Sequence, residues 1–209
     1  MLRQVGLVLL LGFSLVACGA QSPGGSPNPP PPPTDGTPPG GNPPGGDNGG
    51  SDNACTYGGV TLNDDLQIPS NSSCILNGTT LEGNITLGSG SSLSASNIRV
   101  DGNIQAQGAI QVDVSGSQID GDIQLEQGGG ADLQGNDVNG NIQLEGNSGA
   151  LNVDGNTVDG DIQLFQNTGG VTVSGNTVDG NLQCGSNTPA PTGSSNAVRG
   201  DKEDQCSAL

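Results

Sequence analysis

Aspartates recur in this chain at spacings that suit hard-cation chemistry. Asp101, Asp120 and Asp122 make one set; Asp159, Asp161 and Asp179 make another. On an extended strand, residues two apart project to the same side about 7 Å from each other. If the 19 or 20 residues between Asp101 and Asp120, or Asp159 and Asp179, form one turn of a coil, those residues stack about 5 Å apart. Carboxylates that close repel one another, and calcium prefers oxygen ligands of this kind. Paired carboxylates also serve glycoside hydrolysis. The neighbouring residues argue for a plainer role. Asn alternates with Asp and dilutes the charge, the chain has no His, and beyond residue 17 its basic residues are Arg99, Arg199 and Lys202 and its aromatics Tyr57 and Phe165. A solvated ladder of amides and carboxylates is the main expectation and calcium the alternative. Catalysis comes last, because an acidic-polysaccharide enzyme would need basic groups and sugar-stacking rings.

The aspartates belong to a phrase that repeats. It runs apolar, polar, Gly, Asn or Asp, Ile or Leu, usually Gln, then apolar, and its copies begin at Leu62, Leu81, Val100, Ile119, Val138, Val158 and Val178, with a degenerate copy at Val198. The spacing is 19 residues and then 20. A fixed period of this size marks a solenoid, in which one repeat cannot bury its apolar side alone. Within Val158-Asp159-Gly160-Asp161-Ile162-Gln163-Leu164, positions 1, 5 and 7 are apolar and positions 2, 4 and 6 polar. This is strand alternation, and it predicts positions 2 and 4 on one outward face. Gly at position 3 (Gly83, Gly102, Gly121, Gly140, Gly160, Gly180) predicts a bend or a close backbone approach.

A second apolar stretch follows each phrase, as at Val112 and Val114, or Val171 and Val173. Gly-rich turns such as Gly128-Gly129-Gly130 separate the two, and Asn136, Asn156, Asn176 and Asn196 each precede a new copy. Helical periodicity is absent. Short strands with polar corners predict an all-β, parallel β-helix of about seven to eight coils over residues 54–209. The asparagines would form a ladder at a corner. Over about residues 54–206 the pattern resembles right-handed parallel β-helix repeats, a likeness of fold that carries no activity.

The cysteines test this register. Cys55 and Cys74 lie 19 residues apart, at one coil position; Cys184 holds position 7 of the Val178 copy, and Cys206 ends the degenerate copy. Stacked residues on adjacent coils fall within disulfide range, about 5 Å at Cα. The expectation is Cys55–Cys74 and Cys184–Cys206, one bridge at each end of the rod.

Residues 1–17 have the pattern of an export signal, with Arg3 followed by an apolar run too short for a stable span. The run ends Leu15-Val16-Ala17-Cys18-Gly19, which resembles the bacterial lipobox. That resemblance implies cleavage before Cys18, lipidation of Cys18, and a place on the cell envelope, at the outer membrane or cell surface in a diderm. Residues 18–53, with runs such as Pro29 to Pro33, read as a tether with no packed core. The formal net charge is −17, and losing Arg3 with the signal makes the mature chain more acidic. Nucleic acid is therefore excluded as a partner. The triplet Arg199-Gly200-Asp201 mimics an adhesion tripeptide, but Gly200 and Asp201 simply fill repeat positions 3 and 4. The sequence thus predicts a lipid-anchored, non-catalytic surface rod.

Overall fold

In the computed structural model, residues 54–209 are described; the signal, Cys18 and tether expectations lie outside them. The described residues form a parallel β-solenoid of eight coils with three strands per coil. Coil 1 has strands Ala54–Gly58, Thr61–Leu62 and Leu66–Ile68. Coil 4 has Gln111–Ser115, Gln118–Ile119 and Ile123–Glu126; coil 8 has Thr192–Ser194, Ala197–Val198 and Lys202–Asp204. Corresponding strands of successive coils pair in parallel into three sheets of eight strands each. The second apolar stretch builds sheet 1, phrase position 1 closes sheet 2, and positions 5 to 7 lie in sheet 3.

Pairing follows the repeat register. Ile104, Ile123, Ile142 and Ile162 are successive partners in sheet 3, as are Gln105, Gln124, Gln143 and Gln163 beside them. Alternation decides which side chains go inward: in coil 4, Val112, Val114, Ile119, Ile123 and Leu125 are buried. The core is thus a file of stacked Ile, Leu and Val side chains, each contributing about 1.5–3 kcal/mol on full burial. It is narrow, and needs no large ring to fill it.

The phrase is not one strand. The chain leaves sheet 2 after position 1, turns through positions 2 to 4, and enters sheet 3 at position 5. Alternation persists across the bend because apolar positions 1 and 5 both face the same narrow interior. The expected outward pair at positions 2 and 4 is therefore corrected: these residues flank a corner.

Both disulfides form as the spacing predicts. Cys55 and Cys74 are register partners, with Cα atoms 4.5 Å apart. Cys184 and Cys206 are bonded with Cα atoms 5.2 Å apart. Asp204 is the register partner of Cys184, so the two extra residues carry Cys206 on into the terminal turn, where it is fully buried.

Candidate functional site

Three columns of Asn or Asp side chains run along the solenoid, one at each corner. At the corner between sheets 1 and 2, Asn136, Asn156, Asn176 and Asn196 are buried and stacked, as the sequence predicted. The backbone N–H of Asn136 donates to Asn156 Oδ1 at 2.9 Å, and its Nδ2 donates to that oxygen at 3.0 Å and to the Val114 carbonyl at 2.9 Å. One side chain thereby ties together three coils. The same pattern joins Asn156 to Asn176 and Asn176 to Asn196. Ser117 extends the column toward coil 3.

The corner between sheets 3 and 1 holds a second buried column, Asn147, Asn167 and Asn187, which the sequence reading missed. Its bonding repeats the first: Asn147 N–H and Nδ2 donate to Asn167 Oδ1 at 2.9 and 3.1 Å, and Nδ2 also reaches the Leu125 carbonyl. Gln205 ends it, accepting from the Asn187 N–H at 2.9 Å. The signal was Asn at intervals of 20 residues. It starts only at coil 5, since Ala109 and Ser91 stand near this corner in earlier coils.

The third column, at the corner within the phrase, is position 4: Asp65, Asn84, Asn103, Asp122, Asn141, Asp161, Asn181 and Asp201. Here the donation runs the other way, from each coil to the one before it. Asn103 N–H donates to Asn84 Oδ1 at 2.9 Å, and Asp161 N–H to Asn141 Oδ1 at 2.8 Å. Every rung from Asp65 to Asn181 supplies an Oδ1 acceptor, which Asn and Asp share. No two aspartates are neighbours in this column, so no two carboxylates stack. Asp65 is bound by the backbone N–H and then the Nδ2 of Asn84, and these bonds hold its carboxyl below the ordinary 3.8.

The same contact explains the glycine at position 3. From Gly102 to Gly200, a Cβ would lie 2.6–2.7 Å from the carbonyl oxygen of the preceding corner glycine and closer still to the position 4 Oδ1. The φ angles of these glycines lie outside the left-handed region, so crowding by the previous coil is what demands Gly there.

The aspartates proposed as cation ligands are thus distributed among other tasks. Asp122 and Asp161 accept from Asn141 and Asn181. Asp101 and Asp120 are bridged by Arg99 at 3.0 and 2.6 Å. Asp179 pairs with Arg199 at 3.0 Å. Asp159 stands on the far side of the Gly160 corner from Asp161. Among the described residues no three Asp, Glu or Cys side chains gather into a set able to hold a metal. The expected grouping fails because positions 2 and 4 are separated by a corner.

Outside, the position 6 glutamines of sheet 3 form a fourth file. Gln105 Nε2 donates to Gln124 Oε1 at 2.9 Å, and the chain of amides continues through Gln143, Gln163 and Gln183 to Glu203. Among the described residues every buried side-chain nitrogen and oxygen has a partner. The chain matches no family model, no curated protein and no solved structure.

Proposed function

We propose that this protein is an exported, lipid-anchored rod with a non-catalytic structural, adhesive or surface-interaction role. The observation that carries the reading is the commitment of the repeat's polar side chains to the solenoid itself. Of the six candidate cation ligands, Asp122 and Asp161 cap backbone at corners and Asp101, Asp120 and Asp179 pair with arginine, while Asp159 stands apart across the Gly160 corner. What the rod then offers a partner is its shape and its acidic, amide-rich flanks. Upstream, Leu15-Val16-Ala17-Cys18-Gly19 supports lipidation at Cys18, and the Pro/Gly-rich residues 19–53 support a tether. Such a tether would reach on the order of 100 Å if extended. Several acyl chains, at about 0.8 kcal/mol per buried methylene, would hold the protein at the membrane.

The test is metabolic labelling with an alkynyl palmitate, followed by envelope fractionation. The expected result is label in the membrane fraction that disappears in Cys18→Ala. Unlabelled protein in the soluble fraction would defeat the anchor. Turnover of any glycan in a broad polysaccharide panel, lost on aspartate substitution, would defeat the non-catalytic reading.

A further inference from the structure

The corner glycine column has one exception. Position 3 is Gly in coils 2 to 8, from Gly83 to Gly200, but coil 1 carries Asp64. The column explains why an aspartate fits there. Glycine is required only where the previous coil presses its carbonyl and its position 4 Oδ1 against the site. Coil 1 is the end strand of all three sheets, so no described coil presses on Asp64.

We propose that Asp64 is a stop, which closes the N-terminal end of the solenoid to any further coil of this repeat, whether from its own chain or from a second copy. If coil 1 were stacked in register on coil 8 of another copy, the Cβ of Asp64 would fall where the column places a Cβ against Gly200 O and Asp201 Oδ1. The carbonyl contact would be near the 2.6–2.7 Å found from Gly102 to Gly200. The Asp64 carboxylate would also be set beside that of Asp201. Neither backbone nor charge can yield cheaply there.

The opposite end is blocked by different means. In coils 1 to 7, phrase position 5 is Leu or Ile and position 7 is Ile, Leu, Ala or Cys. In coil 8 these register positions hold Lys202 and Asp204, paired with Leu182 and Cys184. A stacked copy would set Lys202 over Leu66 and Asp204 over Ile68, leaving charges against apolar neighbours. Lys202 Nζ instead donates to the backbone oxygen of Leu209 in the terminal turn. Charged residues at inward positions are a known protection of open sheet edges. The rod is therefore a unit of fixed length, and partners, including other copies, meet its flanks.

The experiment lengthens the chain. A duplicate of residues 92–110, one complete coil with Asn103 at position 4, is inserted between Asn53 and Ala54 of the full-length protein, with Asp64 retained or with Asp64→Gly. Limited proteolysis read by mass spectrometry then reports whether the added coil docks. The expected result is at least tenfold slower cleavage of the insert in the Asp64→Gly chain. Equal behaviour of the two chains, both protected or both cut, would overturn the stop. Asp64→Gly in the chain of natural length should melt within about 3 °C of the parent. A large drop would show that Asp64 supports its own coil, and would overturn the proposal as well.

Discussion

Asn141 gives both its backbone N–H and its side-chain Nδ2 to a single oxygen, Oδ1 of Asp122, at 2.7 and 3.1 Å. The aspartate stands one coil earlier, at the same corner position. This relationship turns an acidic residue into a fastener for backbone; it recurs in full between Asn84 and Asp65, and with the backbone N–H alone between Asn181 and Asp161. One of its two carboxylate oxygens is occupied before any ligand arrives.

The corner will not tolerate a methyl group. In Gly121→Ala the new Cβ would sit 2.7 Å from the Gly102 carbonyl oxygen and closer still to Asn103 Oδ1. Overpacking against backbone should destabilise the protein by about 3 kcal/mol, at the upper end of such substitutions. Chemical denaturation with a circular dichroism readout checks this; an unchanged midpoint would refute the crowding argument.

The buried columns should outweigh the exposed one. Asn156→Ala strips the acceptor from the Asn136 N–H and Nδ2 and the Nδ2 donor from the Leu133 carbonyl. Each buried group left unsatisfied costs about 1–3 kcal/mol, so a loss of about 3 kcal/mol or more is expected. Gln105→Ala, in the outer glutamine file, should cost about 0.5 kcal/mol or less. Similar losses at both sites would contradict the ranking.

Acid should loosen the first corner. The Asp65 carboxyl is held below its ordinary 3.8 by the Asn84 backbone N–H and then by its side chain. A group depressed in the folded state contributes stability above its unfolded pKa, and that contribution is lost as pH falls through the folded value. Asp65→Asn keeps the Oδ1 acceptor but does not titrate. Its stability should therefore fall less than the parent's between about pH 4 and pH 2. Parallel acid dependences in the two proteins would argue against the assignment.

Each disulfide closes a loop of about 20 residues and should contribute about 3 kcal/mol in the chain-entropy model. Because a solenoid's coils contact only their neighbours, the two losses should be local and nearly additive. Hydrogen exchange on Cys55→Ser/Cys74→Ser should show faster exchange in coils 1 and 2 with coils 5 and 6 unaffected. Uniform acceleration along the rod would mean that the ends govern the whole.

Millimolar calcium should leave the melting temperature unchanged, because among the described residues no three Asp, Glu or Cys side chains gather into a set able to hold it. A rise of several degrees would restore the cation reading.

Much of this was legible in the sequence because a repeat states each constraint many times. Period, alternation and cysteine spacing gave the coil count, the core and both bridges. The Asn136 column was readable since it lies two residues ahead of each phrase. Asn147, Asn167 and Asn187 were equally periodic, but they sit in the Gly-rich turn where polar residues arouse no suspicion. The corner inside the phrase was hidden for a physical reason: a sharp bend around a narrow core preserves the inside–outside alternation of a straight strand. Only the glycine hinted at it, and its cause lies one coil away in space.

The bridge at the N-terminal end also defines a load path. Tension applied ahead of Ala54 enters the fold at Cys55 and crosses the sulfur–sulfur bond to Cys74. The residues between them stay slack, and coil 1 cannot be paid out like thread from a spool. A pull on the leading end therefore meets its first resistance one coil deeper, where strands are already paired on both sides.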